Sequence, residues 1–192
     1  MMVEQRGLMM FDSQTQNGAL RLLKAVPIAH LAREGRWSLD SPRSYLVPVL
    51  LWFTAGQGRL GVGDALCGYT AHNAIYLPAN TLHACEICGR TQGTALFLGS
   101  DHDLPAPDGP MHLRLTALQD HSEINLLVEG FRRDSAEGGP LIDEILHHRA
   151  ALITLWLLRQ SLSQRTPNLI AAPDMDGRAE AAAPHDAPES DI

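Results

Sequence analysis

The chain has no long hydrophobic run. Its longest apolar stretches, around Val47–Ala55 and Ala150–Leu158, are each about nine residues. A bilayer-spanning helix needs about twenty, so neither stretch can cross a membrane. Cysteine is scarce: Cys67, Cys85 and Cys88 are an odd set of three in 192 residues. That usage fits reduced thiols in a cytosol and not a disulfide framework. Bases are too few to build a surface for phosphates. Fifteen Lys and Arg stand against 22 Asp and Glu, for a net charge of −7, so direct binding of nucleic acid is not expected. The N-terminus, Met1-Met2-Val3-Glu4-Gln5-Arg6, mixes charges and lacks the apolar centre of a signal peptide. Also missing are a Gly-x-Ser-x-Gly elbow, a phosphate loop and a Gly-x-Gly-x-x-Gly that opens a helix. No paired carboxylates sit in an apolar strand context. These absences point to a cytoplasmic, non-enzymatic domain with no cofactor.

What is present changes character along the chain. Residues 1–18 are polar and patternless, a flexible lead-in. From Ala19 to about Leu98 short apolar runs recur between turn residues, as in an all-β sandwich or barrel. The runs are Ala19–Val26, Tyr45–Thr54, Arg59–Val62, Ala65–Thr70, Ala74–Leu77, Leu82–Ile87 and Thr94–Leu98, with His112–Leu115 a further candidate. Gly63-Asp64 is the clearest hairpin turn. A Pro-rich connector from Leu104 to Pro110 follows, then a helix predicted over 121–134 and a longer one over 141–164 with Pro140 at its first turn. The second helix carries apolar residues over much of its circumference: Leu141, Ile145, Leu152 and Leu155 form one stripe, and Trp156 widens it. One apolar face suffices for a surface helix, so this helix is expected to have two partners, its own barrel and a second subunit. A helix sunk in a monomer core is the competing reading. The tail, residues 166–192, is rich in Ala, Pro and Asp and holds most of the net negative charge. It is expected to be disordered.

Two segments carry a family resemblance. Trp52-Phe53-Thr54-Ala55-Gly56-Gln57-Gly58-Arg59-Leu60-Gly61-Val62-Gly63-Asp64 resembles the strand–turn–strand of a cupin barrel, in the version found in AraC-type transcription regulators. Ile75-Tyr76-Leu77-Pro78-Ala79-Asn80-Thr81-Leu82-His83 is similar to the second cupin motif, Pro-x-Gly-x-x-His, with Asn80 in place of Gly. Asn is one of the few residues that accept positive φ. The resemblance covers roughly residues 30–165 and extends through the two trailing helices. It implies a mainly β fold, a cupin (double-stranded β-helix or jelly-roll) barrel over 19–118 followed by two C-terminal helices, with 119–165 a helical dimerisation element. It also implies a small-molecule-sensing and dimerisation domain.

Departures from the family pattern bear on chemistry. Enzymatic cupins hold a metal with two His and an acid from the first motif and one His from the second. The paired His positions fall here on Pro42 and Ser44, and the acid on Pro48 or Val49. Only His83 survives, and catalytic metal sites generally need three protein ligands. Cys85-x-x-Cys88 can join His83 only if the strand bends at Gly89, because Cys88 otherwise points to the other face. With the ligands replaced, the barrel becomes a pocket for a small organic effector. Strand parity places Ser44, Pro48, Leu50 and Trp52 inward, with His83 and Cys85 across from them. Trp37 and Arg43 fall near the mouth, where Arg43 can take a carboxylate bidentately. Plain core packing for Trp52 and a solvated loop position for Arg43 are the alternatives. AraC-type regulators carry about a hundred residues of paired helix–turn–helix units after the linker helix. Only 28 acidic, helix-poor residues follow Gln164, so DNA contact is expected to need a partner, through a heterodimer with a full-length regulator or as a sequesterer of effector. A stand-alone cupin enzyme with a rearranged metal site and a non-catalytic interaction module remain as other readings.

Overall fold

The structure, a computed structural model, describes residues 22–99 and 105–165. The expected lead-in over 1–18, the start of the barrel at Ala19 and the acidic tail over 166–192 lie outside the described residues. The elements in chain order are β1 (Leu23–Pro27), α1 (Ile28–Glu34), β2 (Val49–Val62), β3 (Ala65–Thr70), β4 (Asn73–Leu77), β5 (His83–Leu98), β6 (Met111–Arg114), α2 (Leu118–Glu137) and α3 (Ile142–Arg165). The domain is thus β-rich, with six antiparallel strands followed by two long helices, in keeping with the cupin-type expectation.

The six strands form one sheet in the order β1-β5-β2-β4-β6, with β3 paired to the far half of β2. β2 and β5 are its frame and pair along their whole length. Four of the expected short strands are in fact halves of these two. Gly56-Gln57-Gly58 does not end a strand; it makes a bulge, where the pairing shifts between Phe53 and Ala55 and again before Gln57. Gly56 supplies the left-handed position that this bulge needs, at φ 89. Gly58 lets the backbone pass close to β5 and β3, since a Cβ there would fall on the Glu86 carbonyl and the Tyr69 hydroxyl.

The bulge also changes which residues face inward. Val49, Leu51 and Phe53 point to one core, and beyond the bulge Leu60 rejoins it. An odd shift of seven residues between Phe53 and Leu60 requires one extra residue, because side chains alternate with period two. Beyond the bulge the sheet folds over its first half. Phe53 stacks on Tyr69 with ring centroids 4.0 Å apart, and Tyr45 meets Phe97 edge-on at 5.2 Å. The centre of this inner core is filled by side chains, Leu60, Tyr69 and Cys85 among them.

A second core lies on the other face of the same sheet. Leu50, Trp52, Leu96 and Leu98 meet Ile124, Val128 and Phe131 of α2 and Ile153, Trp156 and Leu157 of α3. Residues 49–53 are therefore buried on both faces, all at 1% exposure or less. Such strands read as continuous apolar runs.

Two local expectations need correction. Residues 28–34, for which no element was expected, form α1, which begins after Pro27 and buries Ile28, Leu31 and Ala32. Leu141 stands ahead of α3 at φ 59, so Pro140 precedes the first turn instead of opening it. Among the described residues no helix is long and apolar enough to cross a membrane.

Candidate ligand-binding site

The loop between α1 and β2 crosses the mouth of the inner core and is tied to the start of β5. Arg43 and His83 exchange two backbone hydrogen bonds, both of 2.8 Å, in an isolated antiparallel bridge. Asn80 takes φ 60 and donates its backbone N–H to the Tyr45 carbonyl at 2.7 Å. The Asn in place of the motif's Gly thus occupies the left-handed position that the exchange requires, and it holds Tyr45 beside His83. The two rings lie 5.3 Å apart.

The structure brings four of the expected ligand residues together here: Trp37, Arg43, His83 and Cys85. Arg43 carries the charge of the group, and its field reaches Tyr45, His83 and Cys85. Its role differs from the bidentate clamp expected. One terminal nitrogen donates to the Gly35 carbonyl at 2.6 Å and the other to the Ser41 carbonyl at 3.1 Å. The guanidinium serves mainly the loop, with a further donation to the Arg36 carbonyl at 3.5 Å, and the Tyr45 hydroxyl lies within its reach. Tyr45, which sequence reasoning passed over, forms a wall between these groups. The signal was its spacing: it shares strand parity with Arg43, two residues earlier.

Two expected residues are elsewhere. Ser44 lies between Arg43 and Tyr45 and is exposed. Trp52 is on the opposite face of β2 from His83 and Cys85, in the core shared with the helices, where its Nε1–H donates to Asn125 Oδ1 at 2.9 Å. Leu50 goes with it. The assumed parity of β2 was off by one residue, so Val49, Leu51 and Phe53 take the inward places assigned to Pro48, Leu50 and Trp52.

Among the described residues, three buried side-chain nitrogens have no hydrogen-bond partner: Trp37 Nε1, Arg43 Nε and His83 Nε2. The Tyr45 hydroxyl lies within reach of the Trp37 and Arg43 side chains, so buried His83 Nε2 is the nitrogen that most needs an outside partner. His83, but neither Trp37 nor Arg43, lines a groove of about 440 Å³ at the mouth, together with Leu39, Pro42, Leu66, Leu82 and Asp64, among others. The volume falls within the range of small-ligand sites.

The titratable groups here are held in their neutral forms. Burial pushes the Cys85 thiol up to about 12, against the smaller opposing effect of its hydrogen bond to the Tyr69 hydroxyl. A protonated, buried thiol is a weak nucleophile and a poor metal ligand. Cys88 is exposed. No group of three or more His, Cys, Asp or Glu is placed to hold a metal among the described residues.

Burial holds His83 below the ordinary imidazole value, and the Arg43 charge adds to the effect. The unfolded chain therefore takes up a proton at His83 near pH 6.5 that the folded chain refuses, and stability falls as pH drops through that value. His112, also held low by burial first and Arg114 second, acts in the same direction. Urea midpoints are expected to fall between pH 7.5 and 5.5, and His83→Phe is expected to remove part of that fall. An unchanged pH slope in the variant would show that His83 does not titrate in this way.

The helical expectation also meets a correction. Leu141, Ile145, Leu152 and Leu155 are exposed, at 71%, 42%, 54% and 44%. Trp156 is not on that surface; it is 5% exposed and its Nε1–H donates to Glu123 Oε2 at 3.1 Å. It floors an apolar groove of about 580 Å³ between α2 and α3, walled by Leu126, Leu127, Leu152 and Leu155. Ile145, Leu152 and Leu155 follow one another at intervals of seven and three, the spacing of a heptad seam.

No family model matches the chain, and no curated protein does. Solved structures do. One is the apo form of a single-substitution variant of ToxT from Vibrio cholerae strain SCE256, with 13% identity and a TM-score of 0.38, covering 70% of this chain and 54% of that one. Another is ToxT from Vibrio cholerae O395 bound to (E)-4-(8-methylnaphthalen-1-yl)but-3-enoic acid, with 11% identity and a TM-score of 0.39, covering 69% of this chain and 54% of that one. The matched region is about half the length of each ToxT chain.

Proposed function

We propose that this chain is a small-molecule-sensing and dimerisation domain of the AraC-like kind, without catalytic activity. The observation that carries the reading is the unpartnered Nε2 of buried His83, which lies beside the Tyr45 ring and whose residue lines the groove at the mouth. Leaving polar atoms unpaired costs stability, and a ligand that pairs them recovers that cost on binding. Such a site suits sensing, because occupancy stiffens the loop from Gly35 to Arg43 and locks it to β5. The residues proposed to meet the ligand are Trp37, Arg43, Tyr45 and His83, with Cys85 as an apolar backing.

The second half of the proposal is a homodimer formed through α3 and the groove it shares with α2. Of the large apolar residues exposed in the described chain, Leu118, Leu126, Leu141, Ile145, Leu152, Leu155 and Leu162 belong to these helices or the turn between them. Leu126, Leu127, Leu152 and Leu155 line one groove, exposed apolar surface of this kind suits association, and two copies can pair their seams about a twofold axis. The same surface offers a heterodimer with a full-length regulator. With a net charge of −7, DNA contact is assigned to that partner. Three free thiols, Cys67, Cys85 and Cys88, suit a cytosolic setting.

Native mass spectrometry of gently purified protein tests both halves together. The expected species is a dimer without metal, carrying a small organic mass that dissociates on activation. A bare monomer, or one metal ion per chain, would overturn the proposal.

A further inference from the structure

From Ile145 to Leu162 the exposed residues of α3 are Ile145, His148, Leu152, Leu155, Arg159 and Leu162. Their intervals are three, four, three, four and three, the alternation of a coiled-coil seam. They fall into two rows with a period of seven: Ile145, Leu152 and Arg159 in one, His148, Leu155 and Leu162 in the other. Every other residue of the stretch is buried or half-buried within the chain's own domain. The strip left bare is mainly apolar, with Ile145, Leu152, Leu155 and Leu162 at 42%, 54%, 44% and 64% exposure. A helix face turned to water carries polar residues instead.

The two polar members decide how a second copy fits. In a parallel pair each row faces itself, so Arg159 meets Arg159 of the partner subunit, two like charges at close quarters. In an antiparallel pair each row faces the other. One register then matches the whole strip. Ile145 stands opposite Leu162 of the partner subunit, Leu152 opposite Leu155 of the partner subunit, and His148 opposite Arg159 of the partner subunit. A slip of one heptad either way sets a polar residue against a leucine. The polar match is chemically complementary, because a guanidinium only donates and a neutral imidazole offers one acceptor nitrogen. Arg159 is held at the strip by Glu123 of α2, which accepts from it and from Trp156 Nε1–H. With five N–H donors a guanidinium can serve a carboxylate and an imidazole together.

Resting on the homodimer reading above, we infer that two copies pair their α3 helices antiparallel, in the register that sets His148 of each copy against Arg159 of the other. The twofold axis crosses the strip between Leu152 and Leu155, and every contact occurs twice. The polar pair selects the partner: a helix without an acceptor opposite Arg159 loses two contacts and a fixed register.

Sedimentation of the parent chain reads dimerisation first, and a monomer overturns both the homodimer reading and this inference. Cysteine cross-linking then reads orientation, in a background of Cys67→Ala and Cys88→Ser. On mild oxidation, mixed Ile145→Cys and Leu162→Cys chains are expected to form a disulfide-linked heterodimer, while neither variant links to itself. Self-linking of each variant marks a parallel pair, which overturns this inference and leaves the homodimer standing. A dimer that links in no combination places the interface elsewhere and overturns both. The polar pair is read by His148→Glu, an exposed position where circular dichroism checks that the fold is kept. The dimer is expected to tighten about fivefold, since each glutamate meets Arg159 of the partner subunit and the pair forms twice. A dimer that is unchanged or weakened by His148→Glu overturns the His148–Arg159 match.

Discussion

Replacing Leu152 and Leu155 together by glutamate is expected to turn the proposed homodimer into a folded monomer. Both residues are exposed in the single chain, at 54% and 44%, so neither contributes much to its core. In a dimer they would be the centre of the apolar seam on α3. Two carboxylates brought there would lose hydration without gaining partners, at a cost of several kcal/mol. A loss of about 4 kcal/mol is a thousandfold in dissociation constant. Sedimentation velocity is expected to show monomer at micromolar concentration, with a denaturation midpoint close to that of the parent. A variant that stays dimeric places the interface elsewhere. One that unfolds shows that these leucines pack inside the monomer. Trp156→Ala makes the contrast, since that ring belongs to the core beneath the groove and its removal is expected to cost stability first.

A second large effect is expected at Trp52. The side chain is 1% exposed, fills the core between the sheet and the helices, and gives its indole N–H to Asn125 on α2. Trp52→Ala leaves a cavity and an unpaired Asn125, and losses for such truncations run to about 3–5 kcal/mol. That is a large part of the total stability of a typical domain. Urea unfolding followed by circular dichroism reads the loss directly. Effector binding at His83 is expected to survive where the variant remains folded, because Trp52 lies across β2 from that site. Trp52→Phe keeps most of the volume and loses the hydrogen bond, and a drop of about 1 kcal/mol is expected. If Trp52→Phe abolishes binding with little loss of stability, Trp52 contacts the ligand after all.

Part of the local geometry around His83 was legible in the sequence. Pro78-x-Asn80-x-x-His83 marked a turn with one left-handed residue, and Asn80 adopts φ 60 there. Arg43, placed near a mouth because it precedes a strand, forms a backbone bridge with His83, and Trp37 lies beside Tyr45. The part that was not legible was the inward parity of β2. With residues 49–53 buried on both faces, alternation vanishes from the sequence, and nothing local says which side meets the barrel interior. The long strands were hidden for a related reason. Gly56 and Gly58 look like a strand end, and only pairing with β5 turns them into a bulge. α1 was missed because seven residues after a proline give too short a pattern to separate from loop.

Amphipathic periodicity by itself determined that two helices follow the strands and that α3 has more apolar surface than one partner can cover. Turn chemistry determined the Gly63-Asp64 hairpin and the place of His83. These signals are local, carried by residues within a turn or two of each other, and no distant contact alters them. The tertiary structure alone decided that Trp52 and Trp156 are core, that Arg43 donates from its terminal nitrogens to the loop carbonyls of Gly35 and Ser41, and that buried His83 Nε2 is left without a partner. Each of those outcomes depends on which distant segment fills the space beside a side chain. That is settled by packing between elements, and it leaves no periodic trace in the chain.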